Sequence, residues 1–296
     1  MHSEFLMGNA AIALGAIAAG LDLVSGYPGT PSTETLENVA KYKTKGTYVE
    51  WSVNEKSAME VAAGAAYAGA RTMVTMKQVG LNVASDPLMS LEYIGVKGGM
   101  VVLVADDPGP ISSQTEQDTR HFSYFSKLPC FDPTSVQEAY DMIQEAFEYS
   151  EKYGTPVFFR PTTRICHAYA SIGVKDPDEY KVNKPEGFVK DSKRWVIFPR
   201  LSFANHQKIV ARNEDLSDAF SDYKRNEILF SGDGKKGIAA GGISYALARE
   251  ALKGREDVRV FKVATPHPFP EKLAVAFLQG LTEVLCLEEL DPVIER

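Results

Sequence analysis

Short apolar runs of strand length alternate with longer, helix-period stretches over residues 1–170. Residues 7–19 are rich in Ala and predict a helix whose small side chains allow close packing. Positions 21–25 read as a strand, and Gly26-Tyr27-Pro28-Gly29-Thr30-Pro31-Ser32 is dense turn chemistry. Thr30 then stands where it would cap a helix, with Pro31 at the first position and Glu34 near the positive end. A strand at 47–52, an Ala/Gly-rich helix over about 55–70, a strand at 72–76, a helix over about 83–95 and a fully apolar strand at 100–105 continue the alternation. Residues 136–153 have amphipathic helical spacing, and 156–160 form a strand that runs into Pro161. Strands separated by helices pair in parallel, which predicts an α/β fold with a doubly wound parallel sheet in residues 1–170.

The pattern changes after residue 168. Asp176-Pro177-Asp178, Lys184-Pro185-Glu186 and Asp191-Ser192-Lys193-Arg194 are polar punctuation, whereas 195–198 and Phe203 carry enough apolar surface to pack. Residues 171–225 are therefore read as a connector lying over the first domain. A second, smaller α/β unit is expected over 226–296, with strands at 236–240, 258–263 and 283–287 and helices at 241–252 and 271–279. Asp291-Pro292-Val293-Ile294-Glu295-Arg296 reads as the N-cap and first turn of a helix, so this unit is expected to be truncated.

A chain of 296 residues suits two domains. Hydrophobic residues at 44% and charged residues at 24% exclude a disordered chain or a fibre. Lys and Arg total 32 against 39 Asp and Glu, a formal charge of −7 with no basic run, which argues against nucleic-acid partners and anionic membranes. Cys130, Cys166 and Cys286 form no CxxC, so the chain by itself holds no zinc knuckle or cysteine-ligated iron–sulfur cluster, and such sparse cysteine fits a reducing compartment. The first residues lack a basic segment followed by a long apolar run, and the apolar stretch 10–19 is too short to span a bilayer; the expected location is cytoplasmic.

In open parallel sheets ligands bind outside the carboxyl ends of the strands. Three polar segments fall there: Tyr27 to Glu34, Val53-Asn54-Glu55, and Asp106-Asp107-Pro108-Gly109-Pro110 through Arg120. Other signals carry less. Gly232-Asp233-Gly234 has no Asn-Asn pair about thirty residues on and reads as a loop, and His121 and His167 stand without ligand-spaced companions, so no metal site is expected.

Tyr27-Pro28-Gly29-Thr30-Pro31-Ser32-Thr33-Glu34 resembles the YPxTPS signature of the thiamine-diphosphate-dependent 2-oxoacid:ferredoxin oxidoreductases. WSVNEKSAMEVAAGAAYAGA, TMKQVGLNVASDPLMS and VADDPGPISSQTEQDTRHF are similar, more narrowly, to the indolepyruvate ferredoxin oxidoreductase alpha-subunit branch. The resemblance spans essentially the whole chain, is dense over 1–167 and is weaker in the connector. It implies a thiamine pyrimidine-binding domain followed by a transketolase C-terminal-like domain. It also implies an alpha chain that continues into a diphosphate-binding domain with its magnesium and a ferredoxin-type domain with 4Fe-4S clusters. This sequence lacks both, so it is read as the N-terminal part of a subunit that is inactive alone. The implied partners are the remaining alpha-chain domains or a split-gene partner, a beta subunit, ferredoxin, coenzyme A and a 2-oxoacid, in an oligomer.

The same resemblance assigns residues. Glu55 is the catalytic candidate, a carboxyl group that hydrogen-bonds the cofactor's aminopyrimidine and works best in the apolar setting offered by Val53, Ala58 and Met59. Thr30 and Arg120 are the candidates for the substrate carboxylate, which a guanidinium matches bidentately. Tyr27, Pro28, Gly29, Gln78 and Asn82 are the further cofactor-binding candidates, the last two with Lys77 on a strand-end loop. Structural alternatives stay open: a solvent-facing helix-start glutamate at 55, a helix cap at Thr30, a surface or interface role for Arg120, and a neighbour-contacting or simply buried face for the small-residue helix 58–69. The implied reaction is coenzyme A- and ferredoxin-dependent oxidative decarboxylation of indolepyruvate and other aryl 2-oxoacids. The alternatives are a paralogue for pyruvate, a branched-chain 2-oxoacid or 2-oxoglutarate, and a non-catalytic assembly subunit.

Overall fold

The structure is a computed structural model that describes residues 1–229 and 234–296. Strand β1 (His2–Met7) leads into helix α1 (Gly8–Ala18), followed by β2 (Leu23–Gly26), α2 (Thr33–Tyr42), β3 (Tyr48–Trp51), α3 (Glu55–Tyr67), β4 (Thr72–Lys77), α4 (Gln78–Ile94) and β5 (Met100–Ala105). Next come α5 (Thr119–Ser126), β6 (Cys130–Phe131), α6 (Val136–Tyr153), β7 (Val157–Phe159), the short α7 (Thr163–Cys166) and β8 (Tyr169–Val174). The chain then runs through α8 (Ser192–Trp195), α9 (Pro199–Ser221), β9 (Glu227–Leu229), β10 (Lys236–Ala240), α10 (Gly242–Ala251), β11 (Val258–Lys262), α11 (Glu271–Leu278) and β12 (Glu283–Leu287).

Six parallel strands form the main sheet in the order β3-β2-β4-β5-β7-β6. Both of its faces are covered, so the central strand β5 is apolar throughout instead of alternating. In β5, Val101, Leu103 and Ala105 face one core with Ile12, Ile17, Phe131 and Phe147, while Met100, Val102 and Val104 face the other with Met59, Ala62 and Leu88. The small residues of α3 thus pack inside this domain, as Ala58, Ala62, Ala63 and Ala66 show. From β2 the chain winds one way across the sheet, and from β4 the other. The carboxyl ends of β2 and β4 are therefore its switch point, where a ligand crevice opens.

A second sheet, ordered β12-β10-β11-β9, is parallel except for the antiparallel edge strand β9. Its seam with the main sheet includes backbone hydrogen bonds from Cys130 to His267 and from Asp132 to Ala264. Residues 171–225, read as a connector over the first domain, contain part of β8 and the 23-residue helix α9. β8 pairs antiparallel with β1, and Leu216 and Phe220 of α9 enter the core that holds Phe131. The C-terminal residues form no helical turn: the N–H groups of Val293, Ile294 and Glu295 donate to the Glu288 carboxylate. Side-chain acceptance there takes the place of the helical start expected at Asp291. Gly232 and Asp233 lie outside the described residues. Among the described residues no helix is long and apolar enough to cross a membrane.

Candidate active site

Three strand ends build the crevice. After β2, the carbonyl of Gly29 accepts hydrogen bonds from the Ser32 N–H (2.9 Å), the Ser32 hydroxyl (2.9 Å) and the Thr33 N–H (3.1 Å), while the Thr33 hydroxyl accepts the Gly29 N–H (2.8 Å). This closed turn moves the start of α2 to Thr33, so the structure corrects the expectation that Thr30 caps it with Pro31 at the first position. Thr30, Tyr27 and Pro28 are left exposed on the turn, facing outward from the strand end. Asn9, buried within α1, holds the turn from below by donating to the Pro31 carbonyl (2.8 Å) and accepting from the Thr35 hydroxyl (2.8 Å). Sequence reasoning missed it, although an Asn inside an otherwise apolar small-residue helix was the available signal.

After β3, Asn54 caps α3 by accepting the Ser57 N–H (2.9 Å), and the buried Ser25 hydroxyl of β2 donates to the Ala58 carbonyl (2.7 Å). These bonds fix the first turn of α3, which carries Glu55. The Glu55 side chain is 7% exposed and has no hydrogen-bond or ion-pair partner among the described residues. It lies against Gly80 in the first turn of α4: a Cβ at position 80 would come within 2.5 Å of Glu55 Oε1 and 2.9 Å of Cδ. Gly80 is thus required for space. Ala58 and Met59 are buried as expected, but Val53 is 81% exposed and does not shield the carboxylate; α4 does.

After β4, helix α4 begins at Gln78, five residues before the expected start, so Lys77, Gln78 and Asn82 sit on a strand end and the opening helical turns instead of a loop. They reach the segment that follows β5: Lys77 donates to Gln114 Oε1 (2.9 Å), Gln78 to the Thr115 carbonyl (3.0 Å) and Asn82 to Gln117 Oε1 (3.2 Å). Gly29, Lys77, Gln78, Gly80, Glu55 and residues 113–117 are therefore brought together at the strand ends.

Arg120 is not part of it. Its side chain is 2% exposed and donates to Asp118, to Glu288 (2.7 Å) and to the carbonyls of Glu289 and Asp291 (both 2.9 Å). This corrects the expected substrate contact, because every edge of the guanidinium already serves the seam between the two sheets. Arg160 lies deeper in that seam, 2.7 Å from Asp106, 3.4 Å from Asp132 and 3.9 Å from Asp118. Asp118, His121 and Asp291 bring ligand atoms within 4.8 Å of one another, yet Asp118 is spent on Arg120.

Burial pushes the Asp132 carboxyl up to about 6 against the pull of Arg160 and Arg120, with Asp118 and Asp106 adding to the rise. The folded state therefore holds that proton more tightly than the unfolded chain, whose Asp titrates near ~3.9. This contribution is complete below about pH 4 and is lost as pH rises through about 6. Asp132→Asn should match the parent near pH 4 and gain on it toward pH 7, as read by urea unfolding at about both values. A constant difference across that window would contradict the assignment.

Residues 14–219 match the family described as pyruvate flavodoxin/ferredoxin oxidoreductase, thiamine diphosphate-binding. The chain belongs to this family. Among relatives, the indolepyruvate oxidoreductase subunit IorA of Pyrococcus abyssi is 44% identical over 98% of this chain and 46% of its own length. The subunit of that name from Methanothermobacter thermautotrophicus is 42% identical over 99% and 47%. The chain thus spans about half the length of the curated relatives it matches. The 2-oxoglutarate:ferredoxin oxidoreductase from Magnetococcus marinus, solved with 2-oxoglutarate, coenzyme A and succinyl-CoA bound, shares the fold with a TM-score of 0.79. It is 20% identical, and the match covers 96% of this chain and 57% of that one. The family match spans the strand ends that carry Glu55 and Lys77, together with most of α9.

Proposed function

We propose that this chain supplies the aminopyrimidine side of the active site in a thiamine-diphosphate-dependent 2-oxoacid oxidoreductase. The observation that carries the reading is the buried, unpartnered Glu55 carboxylate beside Gly80 at the switch point. A carboxylate placed there without a partner among the described residues fits a partner that arrives with the cofactor. Bound thiamine diphosphate supplies the carbon nucleophile and electron sink for decarboxylation of a 2-oxoacid.

With the cofactor bound, Glu55 would hydrogen-bond the aminopyrimidine ring nitrogen from the first turn of α3. Tyr27, Pro28, Gly29 and Thr30, on the turn after β2, would lie beside the ring, and Gln78 and Asn82 hold residues 115–117 across from them. The diphosphate grip with its magnesium and the 4Fe-4S clusters are assigned to the part of the enzyme beyond this chain or to its partners, with a beta subunit, ferredoxin and coenzyme A completing an oligomer. Three free cysteines support a cytoplasmic setting.

The substrate assigned is indolepyruvate or another aryl 2-oxoacid, supported by the names of relatives above 40% identity. A relative at 26% identity is named a 2-oxoglutarate synthase subunit and another a ketoisovalerate oxidoreductase subunit, which makes a substrate panel the test. With partner subunits, cofactor, coenzyme A and ferredoxin present, indolepyruvate should exceed pyruvate, 2-oxoglutarate and ketoisovalerate in kcat/KM by roughly tenfold or more. Preference for an alkyl 2-oxoacid would overturn the aryl assignment, and turnover of none of them would overturn the enzyme reading.

A further inference from the structure

With Arg120 committed to the seam, the crevice needs another cation for a 2-oxoacid's carboxylate, and Lys77 stands there. It is the last residue of β4, at the switch point itself. Its stem packs against the turn after β2: a Cβ on Gly29 would lie 2.9 Å from both Cγ and Cδ of Lys77. Gly29 thereby leaves a slot through which the side chain passes between two strand ends. At its tip, Nζ donates to the neutral Gln114 amide oxygen at 2.9 Å, and among the described residues no carboxylate lies within 4.0 Å of it. An ammonium has three donor directions, so two stay open. Other cations at or near strand ends are different: Arg71 holds Glu151, Arg160 holds Asp106, and Lys262 holds Glu138.

The partner loop is itself held in place. Asp106 turns down into the seam toward Arg160, while Asp107 turns up. One oxygen of Asp107 accepts the consecutive N–H groups of Ile111 (3.0 Å), Ser112 (2.9 Å) and Ser113 (2.9 Å), and the other accepts the Thr163 hydroxyl (2.6 Å). The loop that presents Gln114 is thus built from a fixed carboxylate, and Gln114 aims the Lys77 ammonium without neutralising it.

We propose that Lys77 is the residue that pairs with the carboxylate of the 2-oxoacid substrate. The proposal rests on the reading of the crevice as a 2-oxoacid site. A point-charge donor of this kind binds a carboxylate by charge, leaving the rest of the substrate to be selected by other walls.

The test uses the complete enzyme with Lys77→Met and Lys77→Arg. Lys77→Met should raise KM for the 2-oxoacid by about 30-fold or more with kcat within about threefold, and Lys77→Arg should recover most of the loss. Thiamine diphosphate binding should be unchanged. Two competitive inhibitors sharpen the readout: the carboxylate analogue lacking the keto oxygen, and its primary amide. Lys77→Met should weaken the carboxylate by the same factor as KM and leave the amide unaffected. An unchanged KM, or equal weakening of acid and amide, overturns the assignment. If Glu55→Ala abolishes turnover while Lys77→Met leaves KM alone, only the Lys77 assignment fails; if Glu55→Ala leaves turnover intact, the underlying reading fails.

Discussion

Glu55→Ala in the complete enzyme should lower kcat by about 10²–10⁴-fold, the range for loss of a positioned proton-transfer group. The same substitution should leave the cofactor-free protein as stable as the parent, or more so. Glu55 is nearly fully buried, has no partner among the described residues, and presses on Gly80. Removing such a group breaks no hydrogen bond with the described residues and frees the space against Gly80. A residue kept for structure would give the opposite pair of results. Thermal unfolding with and without thiamine diphosphate supplies the second measurement: the parent assembly should gain stability from the cofactor, and the variant should gain less. Near-full turnover in Glu55→Ala, or a marked loss of stability without cofactor, would remove Glu55 from the chemistry.

Arg160→Met should be the most destabilising single change, costing about 3–5 kcal/mol by urea unfolding. Asp106, Asp118 and Asp132 converge on this one guanidinium inside the seam, and Asp106 and Arg160 are essentially free of solvent. Truncating the cation leaves Asp106 and Asp132 without an ion-pair partner in a poorly solvated space, while Asp118 keeps Arg120. They can respond only by taking up protons, so the deficit should shrink as the pH is lowered toward about 5 and grow above neutrality. A loss below about 1 kcal/mol at neutral pH would mean that the cluster is solvated and that the seam rests on packing alone.

The two substitutions separate the strand-end site from the seam between the two sheets. Glu55 has no partner among the described residues, whereas Arg160 is paired with Asp106, Asp132 and Asp118 beside the Arg120–Glu288 bridge that ties the second sheet to the first. Arg120, two residues from Asp118, belongs with the seam. In the sequence both arginines follow or precede polar strand-end loops and look alike. Their difference arises from partners as remote as Glu288, which no local pattern connects to position 120.

By itself the sequence determined the elements whose stabilisation is local or whose pattern is forced by burial on both faces. β5 and α6 have the expected bounds, because a continuous apolar run or an amphipathic period with a Ser cap and a Gly stop is written in neighbouring residues; β10 and β12 also fall on their expected bounds. It also placed Glu55 at the first turn of a helix beside a polar strand end. Tertiary structure alone decided the rest. β1 exists because it pairs with β8 across the length of the first domain, with His2 opposite Val174. α9 buries Ile209, Leu216 and Phe220 on a stripe too sparse to stand out before the core was there to receive it. Whether a charged side chain meets a ligand or a neighbour was likewise unreadable in one dimension. Arg120 is consumed by a segment some 170 positions later, and Lys77 stays uncommitted because the turn after β2 and the loop after β5 offer it a slot and an amide but no carboxylate.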